Sequence, residues 1–281
     1  VFTETPLEGN PLAVFPDARG LDTATMQRIA RETNLSETTF VFPPSGQGIA
    51  RVRIFTPYAE LPFAGHPTIG TAYVLRKIGA IGRARVSFAF EEGVGLVAVR
   101  IDEGPPLVAW LTTPPIALGP TFEARDAVAR ALGLEPSDLL DAPIAVGRAG
   151  EPFLFVPLQT VTAVDRAALD PRAIRVVCGD VGVGGVFAFA LQEGGVYCRM
   201  FAPEHGIVED PATGSAAGPL AEYLLAYRLL PESTASFVCE QGVAMGRRSL
   251  LHVLVHANAQ GRTIEVGGSV APIVEGTLTL S

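Results

Sequence analysis

The chain holds 281 residues, 48% hydrophobic and 18% charged, with a formal net charge of -8. That length exceeds the usual single domain and supplies apolar material for more than one buried core. The acidic balance argues against nucleic acid and anionic membrane surfaces as partners. Lys77 is the only lysine among 21 basic residues, a bias of composition and not of function. Cys178, Cys198 and Cys239 are odd in number and widely spaced, which suits a reducing, cytoplasmic compartment better than a disulfide framework. No run of about 18 uncharged apolar residues suggests a membrane span. The chain opens at Val1, and a short leader or first strand is expected before it.

Taken in chain order, residues 22–33 form the first amphipathic helix, with Met26, Ile29 and Ala30 facing inward. It stops near Asn34, and "NLSETTF" leads into a strand where Phe40, Val41 and Phe42 signal rapid burial. Strands are predicted over 50–56, 85–90 and 95–101, with an apolar helical run over 69–75 between the first two. "TTPPIALGP" (112–120) reads as a proline-dense linker that divides the chain into 1–114 and 115–281. A second amphipathic helix covers 123–132. "GDVGVGG" (179–185) has the wrong spacing for a nucleotide loop and runs into a strand, and no lysine accompanies any glycine loop.

Further strands are predicted over 186–192 and 196–201. In "IVEDPATGSAAG" (207–218), Asp210 before Pro211 reads as a helix N-cap and first helical position, its charge suiting the helix dipole. The small residues that follow leave the first-turn N–H groups uncovered, as they are where an anion docks. The helical run over 216–230 carries only Glu222 and Arg228 as charges. Strands over 250–256 and 263–266 complete the chain, and the last ones are candidates to return to the first domain. His252 and His256 would share one strand face, but no third metal ligand is suggested. A G-x-S-x-G elbow is missing.

The chain also repeats itself. Arg53, Phe55 and Pro57 match Arg199, Phe201 and Pro203 at an offset of 146. Three extra residues later, Gly65-His66 falls opposite Gly214-Ser215, each pair opening a helix that is apolar nearly all round and must be enclosed. The predicted fold is therefore α+β, with two pseudo-symmetric domains, each a mostly antiparallel sheet wrapped about one central helix. The regular alternation of a doubly wound parallel sheet is absent.

Two helix starts related by an approximate twofold suggest a shared cleft selective for carboxylates or phosphates, where Gly65 and Gly214 would let a ligand approach the backbone. Ordinary helix–sheet packing is the competing reading. Taken singly, His66 is a satisfied junction residue or a catalyst, and Ser215 and Asp210 are capping groups or site residues. Their coincidence at paired positions favours function, because capping needs no pairing. Glu37 is a solvated acid or, drawn into the apolar strand, a carboxylate with a raised pKa that can give and take a proton. No metal or organic cofactor is implied.

"VFTETPLEGNPLAVFPDARGL", "IARETNLSETTFVFPP", "RIFTPYAELPFAGHPTIGTAYVL" and "RMFAPEHGIVEDPATGSAAGPLAEYL" together resemble the PhzF-like phenazine-biosynthesis isomerases of the diaminopimelate-epimerase fold, over essentially the whole chain. The resemblance implies two β-barrel domains, each around a central helix, with the active site in the cleft, and a homodimer. It assigns Glu37 as general acid/base and places His66, Asp210 and Ser215 in the substrate pocket. The best-known reaction of the family is a cofactor-free allylic proton shift on trans-2,3-dihydro-3-hydroxyanthranilate. Epimerases of the same fold carry a cysteine at each helix opening, where this chain has Ala64-Gly65 and Ala212-Thr213-Gly214. The expectation is a one-carboxylate isomerase of a small cyclic or unsaturated acid. A non-catalytic carboxylate binder and a single-carboxylate epimerase are the alternatives.

Overall fold

The computed structural model describes residues 1–179, 181–258 and 261–280, so Asp180 in the glycine-rich stretch lies outside the described residues. The first half runs β1 (Leu12–Phe15), α1 (Thr23–Thr33), β2 (Glu37–Phe42), β3 (Ala50–Phe55), β4 (Glu60–Leu61), α2 (Gly65–Lys77), β5 (Ser87–Glu92), β6 (Gly95–Asp102) and β7 (Val108–Thr112). An insertion follows: β8 (Ala117–Thr121), α3 (Arg125–Ala131) and β9 (Ala145–Ala149). The second half then runs β10 (Glu151–Leu158), α4 (Val161–Arg166), α5 (Pro171–Cys178), β11 (Gly185–Gln192), β12 (Gly195–Ala202), β13 (Ile207–Asp210), α6 (Gly214–Ala226), β14 (Ser236–Gln241), β15 (Ser249–Asn258) and β16 (Gly261–Gly268).

Local chemistry accounts for the early elements. Asp22 accepts from the Thr25 N–H and caps α1, and Met26, Ile29 and Ala30 form its buried face. Asn34 ends the helix at φ 49°, a left-handed conformation that asparagine tolerates well. The chain then enters β2 at Glu37.

All sixteen strands belong to one mixed sheet among the described residues, with the order β1-β2-β3-β5-β6-β7-β16-β15-β14-β12-β11-β10-β9-β8, β4 and β13 pairing beside β3 and β12. The order is nearly palindromic about β7 and β16, which pair antiparallel with Trp110 opposite Gly267. Each half has two parallel pairs, β1 with β2 and β3 with β5, then β10 with β11 and β12 with β14, and the connections inside the parallel pairs carry every α-helix but α3 among the described residues. The internal repeat thus extends well beyond the stretch that betrays it in sequence.

The two halves even share an ionic clamp. Arg53 grips Glu60 on β4 through two bonds of 2.7 and 2.6 Å and lies 5.2 Å over the Phe55 ring. Arg199 grips Glu209 on β13 at 2.8 and 2.7 Å and lies 5.0 Å over Phe201. Both combine a bidentate pair with a cation–π contact.

Helix α2 packs against β1, β2, β7 and β16, and α6 against β8, β9, β10, β15 and β16. Since β1 and β7 stand at opposite ends of the first half's strand order, the sheet curls round α2. The same holds for α6. Ile69, Ala72 and Leu75 of α2 and Ala217, Leu220, Ala221 and Leu224 of α6 are buried in one continuous core. Tyr223 is fully buried among Phe155, Phe189 and Tyr227, and its hydroxyl donates to the Pro143 carbonyl. No helix among the described residues is long and apolar enough to cross a membrane.

Two expectations need correction. The second apolar helix ends at Ala226, not Leu230, because Arg228 turns left-handed at φ 57° and the chain folds back onto Leu224. Asp210 is not an N-cap: it closes β13, and α6 begins only at Gly214. The physical reason is that Asp210 pairs with Met200 of β12 and its carboxylate oxygens are taken by Asn10 and Thr213, whereas Asp170 before Pro171 does cap α5.

The first turns of α2 and α6 meet backbone to backbone. A Cβ added at Gly65 would lie 2.7 Å from the Gly214 Cα and 2.8 Å from the Ser215 nitrogen, and one at Gly214 would lie 3.0 Å from Phe2 and 3.2 Å from the Gly65 Cα. The absent side chains make room for the opposite helix, so any ligand approach depends on the N–H groups instead. Gly65→Ala is expected to lower stability by about 1–3 kcal/mol through overpacking, whereas Gly82→Ala, facing open space, should stay within about 0.5 kcal/mol. Equal denaturation midpoints for the two variants would contradict this contact.

Candidate active site

Neither central helix has a side-chain cap. The N-cap residues are Ala64 for α2 and Thr213 for α6, and neither side chain bonds to its helix. The N–H groups of Gly65, His66, Gly214 and Ser215 meet no acceptor among the described residues. Pro67 removes one further donor at a first-turn position where proline is tolerated. Two positive helix ends therefore stand side by side with free donors, an arrangement suited to an anion.

Glu37, the first residue of β2, is brought beside these helix ends by its parallel pairing with Leu12 of β1. It is 8% exposed, and His66, the second residue of α2, is 4% exposed. Glu37 Oε2 lies 3.0 Å from His66 Nε2, within ion-pair range but off the line of a hydrogen bond, and neither atom has a hydrogen-bond partner. This leaves a buried carboxylate oxygen and a ring nitrogen side by side, each without a hydrogen-bond partner.

Asp210 arrives from the opposite half at the end of β13. Its Oδ1 accepts from Asn10 Nδ2 at 2.8 Å and its Oδ2 from Thr213 Oγ1 at 2.5 Å. Asn10 also donates to the Ala212 carbonyl, and Gln241 joins the Asp210 carbonyl, the Thr213 hydroxyl and the Thr213 N–H into the same network. Burial, and next the nearby charge of Glu37, push the Asp210 carboxyl up to about 7. Asn10, Thr213 and Gln241 were not singled out from the sequence, because a lone buried amide or hydroxyl leaves no periodic signal.

Glu37, Gly65, His66, Asp210, Gly214 and Ser215 all line one cleft. Phe63, Phe153, Met200 and Ile207 supply apolar wall, and Ser215 is half-buried. At the mouth His205 Nε2 lies 3.0 Å from Glu151 Oε1, and that bond raises the imidazole above its ordinary range. A wider groove beside Phe42, Ile81 and Arg85 brings together no comparable buried acid–base pair. Cys178, Cys198 and Cys239 are buried and none lines the cleft, so a paired-thiol racemase has no thiols to use. His256 contacts Glu265 at 3.0 Å and His252 sits near the Trp110 ring.

An acid whose folded-state value lies near 7 instead of 3.8 binds its proton more tightly when folded, so its contribution to stability declines as pH rises through that window. The thermal midpoint of Asp210→Asn relative to the unaltered protein should therefore climb between about pH 4 and 7 and then level off. A pH-independent difference would contradict the perturbed carboxyl.

The phenazine biosynthesis-like (PhzC-PhzF) family model matches residues 1–276. A trans-2,3-dihydro-3-hydroxyanthranilate isomerase of Pseudomonas aeruginosa is 41% identical over 277 residues, covering 98% of this chain and 95% of its own. A PhzF-family phenazine biosynthesis protein of Bacillus anthracis superposes with a TM-score of 0.88 at 26% identity, covering 95% of this chain and 93% of that one. A hydroxyproline epimerase from Agrobacterium vitis, at 13% identity and a TM-score of 0.60 over 88% of this chain and 78% of its own, shares the fold alone. With residues 1–276 matched and curated relatives at 39–41% identity named isomerases, the chain belongs to the phenazine biosynthesis-like PhzC-PhzF family and is an isomerase.

Proposed function

We propose that this isomerase moves a proton along an allylic system in a small cyclic or unsaturated carboxylate, without a cofactor, and that Glu37 carries the proton. The observation that supports this most is the unpartnered Glu37 Oε2 beside His66, next to two uncapped helix starts. The relative named for a cyclic hydroxyanthranilate substrate supports the substrate class. Two pseudo-symmetric domains, 1–114 and 115–281, each a diaminopimelate-epimerase-like barrel about its helix, belong to the same reading. So does a cytoplasmic homodimer.

In this mechanism the substrate carboxylate sits on the N–H groups of Gly65, His66, Gly214 and Ser215. Glu37 takes a proton from the carbon beside the conjugated system, the electron pair delocalises, and Glu37 returns the proton to the far carbon of the allyl unit on the same face. The formula is unchanged and one double bond has moved. His66 and Asp210 stabilise the delocalised charge, and Asp210, titrating close to neutrality, is available there as a partly protonated donor.

A positioned acid/base contributes roughly 100- to 10,000-fold, so Glu37→Gln should slow turnover by that factor. The measurement is deuterium incorporation from heavy water into a panel of unsaturated ring acids that includes trans-2,3-dihydro-3-hydroxyanthranilate. Exchange with double-bond migration, lost in the variant, is the expected result. Binding with no exchange by the unaltered protein would identify a carboxylate binder, and inversion without migration an epimerase; either outcome contradicts the isomerase.

A further inference from the structure

A third buried acid lies behind the helix start, outside the cleft. Glu92 is the last residue of β5 and is 8% exposed. Its Oε1 is 2.7 Å from Thr68 Oγ1, and its Oε2 has no partner. The same Thr68 hydroxyl is 2.8 Å from the Ala64 carbonyl, the N-cap of α2. A hydroxyl has one proton to give. If Glu92 were ionised, two acceptors would compete for that proton while a charged oxygen stayed buried and unpaired, which is costly. Both contacts are satisfied only when the carboxyl donates to Thr68 and Thr68 donates to Ala64.

The opposite half supports this assignment independently. Gln241 stands at the end of β14, at the 149-residue offset that also relates Gly65 to Gly214. Its Nε2 donates to the Thr213 hydroxyl at 3.0 Å, and Thr213 donates onward to Asp210. Both halves thus set a donor, a threonine hydroxyl and an acceptor in series beside the central helix, although Thr68 lies in the first turn of α2 and Thr213 is the N-cap of α6. One half uses an amide and the other an acid.

We infer that Glu92 is a positioning residue acting as a neutral carboxylic acid: it donates to Thr68 and so locks the first turn of α2, the turn that presents Gly65 and His66 to the cleft. Burial raises the carboxyl to about 8, opposed only by the Thr68 bond. The titratable and charged groups on adjoining elements face elsewhere. Glu91 turns to the N–H groups of Ser45, Gly46 and Gly48, Arg51 is exposed and lies over Phe42, and His66 faces Glu37. The role in turnover depends on the cleft being the active site as proposed above, whereas the protonation state does not.

The test compares the unaltered protein with Glu92→Gln and Glu92→Leu. In carbon-13 glutamate-labelled protein, the carboxyl signal that disappears in Glu92→Gln should be that of a protonated acid at pH 7 and should titrate near 8. Because the folded-state value is raised, stability is lost as pH climbs from about 4.5 to 8. The thermal midpoint of Glu92→Gln should therefore match at pH 5 and exceed that of the unaltered protein at pH 9. Glu92→Leu should fall below it at pH 5 and shift the His66 imidazole signal. Where a substrate is turned over, the exchange rate should decline above pH 8 in the unaltered protein and hold in Glu92→Gln. The signal and midpoint measurements need no substrate, so they stand even if no exchange is found. An ionised Glu92 at pH 7, a Glu92→Gln as damaging as Glu92→Leu, or a Glu92→Leu without effect would each overturn the inference.

Discussion

The contact of Gly65 with Gly214 is the constraint on which the site depends. Two helices that are apolar nearly all round can be enclosed only if strands surround each of them, and one mixed sheet does this twice. Their first turns then meet because neither carries a side chain at the point of approach. With Ala64 and Thr213 as N-caps, no side chain satisfies the free donors, so the surplus of N–H groups is concentrated between the halves. Glu37 reaches this point from one half and Asp210 from the other.

The charge pattern follows from that constraint. No lysine or arginine lines the cleft among the described residues, although arginines clamp Glu60 and Glu209 close by on β4 and β13. Under the proposed function, anion recognition therefore rests on the backbone dipoles of the two helix starts. Such fixed dipoles need no reorganisation when charge develops on a substrate, which is the electrostatic advantage of a preorganised site. The Asp210 carboxylate accepts from two neutral groups, Asn10 and Thr213, while Gln241 holds its backbone carbonyl, so its orientation is fixed without a cationic partner.

Much of the architecture was legible in the sequence because its signals are periodic or repeated. Met26, Ile29 and Ala30 marked the face of α1, and the Arg-x-Phe-x-Pro repeat located β3, β12 and both helix openings. Gly65, His66, Gly214 and Ser215 stand out the same way, as unusual types at paired positions, whereas Glu37 stands out as an acid at the start of an apolar strand and through the family resemblance. What stayed hidden lacked such a pattern. β4 and β13 are too short to show alternation, and β13 was obscured by an Asp-Pro pair that imitates a helix start. α4 and α5 span only six and eight residues. Asn10, Glu92 and Gln241 are single polar residues whose importance comes from burial and partners. Carrying the repeat offset past the helices would have paired Glu92 with Gln241, but only the structure explains why an acid can stand for an amide.

The central claim is that the paired helix starts bind a carboxylate. Its most direct test is a titration with benzoate followed through the backbone amide signals of Gly65, His66, Gly214 and Ser215. Saturable movement of all four with one shared midpoint is the predicted result. Signals that remain still while benzoate binds elsewhere, or that respond on one helix only, would contradict the account.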